Sequence, residues 1–85
     1  MESNADSRIA VIGIIIEDKN QVENVNEILH QYSDSIIGRM GLPYKKKGLS
    51  IISIVVDASS DTISALSGKI GRLQGVTSQA LYTKA

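Results

Sequence analysis

An α+β fold, with four strands and two helices in the order β-α-β-β-α-β, is what this 85-residue sequence predicts. Three observations carry the prediction. Two runs, RIAVIGIII and LSIISIVV, are dense in β-branched residues and have strand length. Two other segments repeat apolar residues at spacings of three and four, the period of a helix face. Glycine, proline and lysine clusters punctuate the boundaries between these segments.

Taken in order, Met1 to Ser7 is expected to be a flexible tail, followed by one folded unit over 8–85. Arg8 to Asp18 reads as the first strand, ending in a polar cluster. In KNQVENVNEILHQYSD the residues Val22, Val25, Ile28, Leu29 and Tyr32 make one helix face, and Asn20 with Glu23 resembles a capping box. Ser35 to Tyr44 is a glycine-broken strand, and Pro43, which has no N–H to donate to a ladder, places it at a sheet edge. Lys45, Lys46 and Lys47 then form a basic turn. Leu49 to Ala58 is a second strongly apolar strand. The segment SSDTISALSGKIGRLQ opens on capping residues and repeats Ile63, Leu66, Ile70 and Leu73 at helical spacing, with Gly75 as the C-cap glycine. Val76 to Lys84 closes the chain as the fourth strand.

That order is the ferredoxin-like pattern, a four-stranded antiparallel sheet with both helices on one face. Right-handed crossovers put the first and third strands at the centre. Both are apolar on two sides. Ile9, Val11 and Ile15 oppose Ile12, Ile14 and Ile16, and Leu49, Ile51 and Val55 oppose Ile52, Ile54 and Val56. Helices cover only one face, so a second body is expected on the other, most simply another copy of the chain. We assign Ile12, Ile14, Ile52, Ile54 and Met40 to that oligomer interface, in a dimer or tetramer.

Composition removes several function classes. There are 9 basic and 9 acidic residues, so the net charge is zero and an overall basic nucleic-acid platform is absent. The charge is polarised along the chain, with seven acids and two bases in residues 1–34 and the reverse in 35–85. With no cysteine and a single His30, neither a disulfide, a thiolate site nor a histidine-rich metal site is available, and no metal or cofactor is expected. The longest apolar run, Ile9 to Ile16, is too short to span a bilayer and too β-branched for a signal peptide, so a cytoplasmic chain is expected.

The stretch SALSGKIGRLQGV contains a G-x-x-G spelling, Gly68 to Gly71, like the backbone clamp of KH domains. A KH loop needs a long helix after it, and the cap at Gly75 follows Gly71 by only four positions. On a helix of 100° per residue the apolar stripe spans about 80°, with Ser64, Ser67, Gly68 and Gly71 as a small-residue flank. Packing against that flank is the simpler reading. The aromatic stacking of an RRM is also missing, since the central strands hold no aromatic residue and the chain has no Phe or Trp.

The segments NEILHQYSDSIIGRMGLPY and DTISALSGKIGRLQGV, with the isoleucine-rich third strand, resemble the TM1266-type family of iron-only hydrogenase system regulators. The most specific pieces are R-x-G-x-P (Arg39, Gly41, Pro43) and Asp61 to Gly71. The resemblance implies an ACT-like, ferredoxin-like fold related to the ligand-binding half of the nickel-responsive repressor, and it implies oligomerisation. The histidines and cysteine of that repressor's metal site have no counterpart here, so nickel sensing is not expected. The turn EDKNQ lacks the glycine common in amino-acid-binding ACT domains. No helix-turn-helix or ribbon-helix-helix segment is present, so direct DNA binding is not expected, and control of transcription would need a partner protein.

The expected function is a non-enzymatic, oligomeric regulatory module sensing a small anionic ligand at a subunit interface. The alternatives are an interaction scaffold without ligand and, behind it, a nucleic-acid binder using the GKIG segment. Candidate ligand contacts are Arg39, whose guanidinium can fork onto a carboxylate or phosphate, with Gly41, and the small flank Ser67, Gly68 and Gly71. The lysine turn reads as a solvated hairpin or an edge guard against sheet aggregation. No catalytic residue is assigned: His30 has no evident nucleophile or orienting acid, and IIIEDKNQ lacks the glycine and arginine of an acylphosphatase phosphate loop.

Overall fold

The computed structural model describes residues 7–83, so all but the last residue of the tail expected over Met1 to Ser7 lies outside them, as does Lys84, the expected end of the fourth strand. Ser7 does not belong to a tail: it begins strand β1 (Ser7–Ile16) and pairs with Ser59. Helix α1 (Val22–Gln31), strand β2 (Ile36–Tyr44), strand β3 (Leu49–Ser59), helix α2 (Ser60–Gly71) and strand β4 (Val76–Tyr82) follow. The strands form one antiparallel sheet in the order β2-β3-β1-β4. The two most apolar strands are therefore central, and the proline-bearing strand is an edge.

Local chemistry sets the boundaries. The Ser59 hydroxyl accepts from the Thr62 backbone N–H at 3.1 Å and caps α2, satisfying one of the helix's unpaired first-turn donors. At the first helix the expected Asn20–Glu23 box does not form. A 3-10 turn, Lys19–Gln21, precedes α1, and the Asp18 carboxylate caps it by accepting from the Asn20 N–H at 3.0 Å. Another 3-10 turn, Ser33–Ser35, follows α1, and the lysine turn is a third, closed by Gly48 in the left-handed region at φ 65°.

Gly75 is left-handed as expected, at φ 77°, but it is not the helix cap, because α2 ends at Gly71. Its carbonyl instead accepts from the Glu17 N–H at 2.8 Å, tying the entry to β4 to the end of β1. A Cβ on Gly75 would stand 2.9 Å from that of Asp18, so the position is closed by conformation and by space. Gly75→Ala is expected to lower stability by about 1–3 kcal/mol, read as a fall in the urea midpoint at unchanged slope.

The core lies between the sheet and the helices. Ile12, Ile14 and Ile16 of β1 and Ile52, Ile54 and Val56 of β3 meet Val25 and Leu29 of α1 and Ile63, Leu66 and Ile70 of α2. This corrects the interface assignment. Ile12, Ile14, Ile52 and Ile54 are buried within the protomer beneath the helices, so no second copy can reach them. Because strand side chains alternate, the outward face belongs to their odd-numbered neighbours. Met40 does face outward, at 65% exposure.

Candidate functional site

Strand β2 positions two different surfaces. A β-bulge sits between Ile36 and Gly38: Ile36 pairs with Val56, but Gly38 pairs with Val55. The extra residue, Ile37, shifts the alternation by one, so every later side chain of the strand changes sides. Arg39 and Gly41, paired with the buried Ile54 and Ile52, therefore share the helix side with Pro43. Met40, Leu42 and Tyr44 take the open side.

On the helix side, α2 lies chiefly over β4, and α1 stops short of covering the edge strand. A groove is left between α1 and β2. Its centre, about 180 Å³, is bounded by Val22 and Asn26 on the helix and by Arg39, Gly41 and Pro43 on the strand. One end opens into a space of about 390 Å³ beside His30 and Ser33. The other end, also about 390 Å³, lies beside Lys19 and Lys45.

Arg39 is oriented within this groove. Its Nη2 donates to Asn26 Oδ1 at 2.6 Å, and that partner is a neutral amide. Among the described residues Lys19, Arg39 and Lys45 make no ion pair, so the groove keeps its positive charge. Gly41 leaves the floor open, since a Cβ built there would meet no atom within 4 Å.

The remaining ligand candidates lie elsewhere. Ser67 Oγ is 2.9 Å from Ser78 Oγ of β4, and a Cβ on Gly71 would meet Ser78 Cβ at an ordinary 3.7 Å. Ser67 and Gly71 on the small flank of α2 thus pack against β4, whereas a Cβ on Gly68 would meet only the Arg72 side chain, at 3.7 Å. Arg39 and Gly41 come together with each other but not with Ser67, Gly68 and Gly71. The G-x-x-G spelling is helical, ending with α2, and forms no KH loop. Lys69 rests over the Tyr32 ring at 5.1 Å. Sequence reasoning missed Asn26 and Lys19. The available signal was the i, i+4, i+8 line Val22, Asn26, His30, which forms one wall of the groove.

The open side of the sheet is the second surface. Val11 pairs with Val55 on one side and Leu81 on the other, and Ile15 pairs with Ile51, which pairs with Leu42. These make two apolar rows. Between them runs a lower row, Met40, Ser53, Gly13 and Gln79, whose small central members allow close approach. Ile9, Val11, Ile15, Met40, Leu42, Tyr44 and Leu81 are all exposed, Leu81 at 72%. No helix of the described residues is long and apolar enough to cross a membrane.

Residues 8–80 match the TM1266-like family, described as "Iron-only hydrogenase system regulator, putative". The chain belongs to this family. It is also similar to the solved structure of TM1266 from Thermotoga maritima, with 34% identity and a TM-score of 0.87. That similarity covers 92% of this chain and 99% of the other. The solution structure of the C-terminal domain of the MgtC protein from Mycobacterium tuberculosis shares the fold at 11% identity and a TM-score of 0.70. It covers 99% of this chain and 95% of that domain. No curated protein matches. The ferredoxin-like α+β architecture expected from the sequence is thus the architecture of its relatives.

Proposed function

We propose that this TM1266-like chain is a non-enzymatic regulatory module that works as a homo-oligomer and takes a small anionic ligand as its signal. The observation that carries this reading is the open side of the sheet. Two apolar rows of three strands each lie there, Val55–Val11–Leu81 and Leu42–Ile51–Ile15, and the apolar side chains of the two central strands are left without cover. Faces of this kind mark association surfaces, and a second copy supplies a matching one. The family's description as regulators supports the non-enzymatic part. Control of a target would pass through a partner protein.

Sedimentation velocity across the micromolar range tests the proposal. Particles of twice the 9.1 kDa chain mass or more are expected. A single monomeric boundary throughout would sink it.

A further inference from the structure

The groove between α1 and β2 suits a definite kind of molecule. We infer that it binds a small organic oxyanion, a carboxylate or phosphate ester with an aliphatic body, with the charged end on Arg39 and the body over Gly41. This deepens the ligand-sensing half of the proposed function and rests on it.

Three features support the assignment independently. The first is the state of Arg39. A guanidinium offers five N–H donors in a planar fork that matches a carboxylate or phosphate edge. Here Asn26 holds one arm at 2.6 Å without neutralising the charge, which fixes the fork and leaves the other donors free for a ligand. A solvated arginine with a carboxylate partner would be spent; this one is positioned and unspent.

The second is the floor. The bulge at Ile37 turns Arg39, Gly41 and Pro43 to the same side, so the middle of the three is a bare backbone step between a cation and a ring. Any side chain at 41 would fill the centre of the groove, yet the fold has room for one. The walls beside it, Val22, Pro43 and Ile52, are apolar, which asks for an aliphatic body rather than a bare ion. A mostly apolar cleft with a few placed polar groups is how small-molecule sites are built.

The third is the field. Lys19 and Lys45 come from different segments to one end of the groove and add positive charge there. Coming from one face, these charges raise the local concentration of anions. The flank at Ser67 offers nothing comparable, because its hydroxyl is already paired with Ser78.

The test is amide chemical-shift mapping on the full chain with isocaproate, isobutyl phosphate and the neutral isocaproamide. Saturable shifts at Asn26, Arg39 and Gly41 with one or both anions, at a Kd below about 1 mM, and none with the amide, are expected. The preferred anion identifies carboxylate or phosphate as the source. Arg39→Gln is expected to weaken binding at least tenfold, roughly the worth of a charged hydrogen-bond pair. Gly41→Val, which adds a side chain to the floor and keeps the Arg39 guanidinium in the chain, is expected to weaken it while the thermal midpoint holds. Shifts confined to the α2–β4 seam, or undiminished binding by Arg39→Gln, would overturn the groove but leave a ligand-responsive module standing. No saturable shift with either anion would overturn the assigned class. If a broad metabolite thermal-shift screen were also silent, the ligand-sensing reading would fall with it.

Discussion

Val11→Asp is expected to convert the proposed oligomer to a folded monomer. Val11 sits on the open side of β1, between Val55 and Leu81, in the middle of one apolar row. Covering a valine side chain stabilises an interface by up to about 1.5–3 kcal/mol. Placing an unpaired carboxylate in the same contact costs several kcal/mol more. Each copy carries the substitution, so a symmetric interface suffers it twice. Even about 4 kcal/mol of loss weakens association nearly a thousandfold. The protomer itself is expected to survive, because at 38% exposure this side chain already meets solvent in the isolated chain. Far-UV circular dichroism should be unchanged while the sedimentation coefficient falls. Loss of structure together with loss of association would show that the face is part of the core.

Ile54→Ala is expected to do the opposite. Ile54 is fully buried, paired with Ile12 and with Arg39, and lies beneath the helices. Truncating a buried isoleucine costs about 2–5 kcal/mol, through lost transfer energy and the cavity left behind. A chain of this length has only roughly 4–13 kcal/mol of stability to lose. The thermal midpoint should therefore fall by about 10–25 °C. Its neighbour Val55, on the other side of the same strand, should behave as Val11 does. A charge at 55 is expected to dissolve the oligomer with little change in the urea midpoint of the monomer. Two adjacent residues thus separate folding from assembly, and a Val55→Asp variant that unfolds would contradict that separation.

The element order, the central place of β1 and β3, and the edge place of β2 were legible because each follows from periodicity or from a missing N–H. The two-sided character of the central strands was legible for the same reason. Which side the helices would take was not. Ile12 and Val11 are equally apolar, and only the helix connections decide that the even-numbered residues of β1 go inward. The bulge at Ile37 was also silent, since nothing in SIIGRMG distinguishes a continuous strand from one shifted by a residue. That single shift decides whether Arg39 faces the open sheet or the groove. Asn26 was hidden for a related reason, because a polar helix residue acquires meaning only from what stands across from it. Gly75 was read correctly in its conformation and wrongly in its role. A left-handed glycine fits a helix cap or a tight entry into a strand, and the contact with Asp18 selects the second.

In the proposed oligomer, copies of this chain meet through the open side of the sheet. Multi-angle light scattering on the eluting wild-type chain and Val11→Asp, loaded at the same micromolar concentrations, tests it most directly. A wild-type mass at a whole-number multiple of 9.1 kDa, two or greater, and a folded variant at 9.1 kDa are expected. A wild-type mass of 9.1 kDa at every concentration, or an oligomer that Val11→Asp leaves intact, would contradict it.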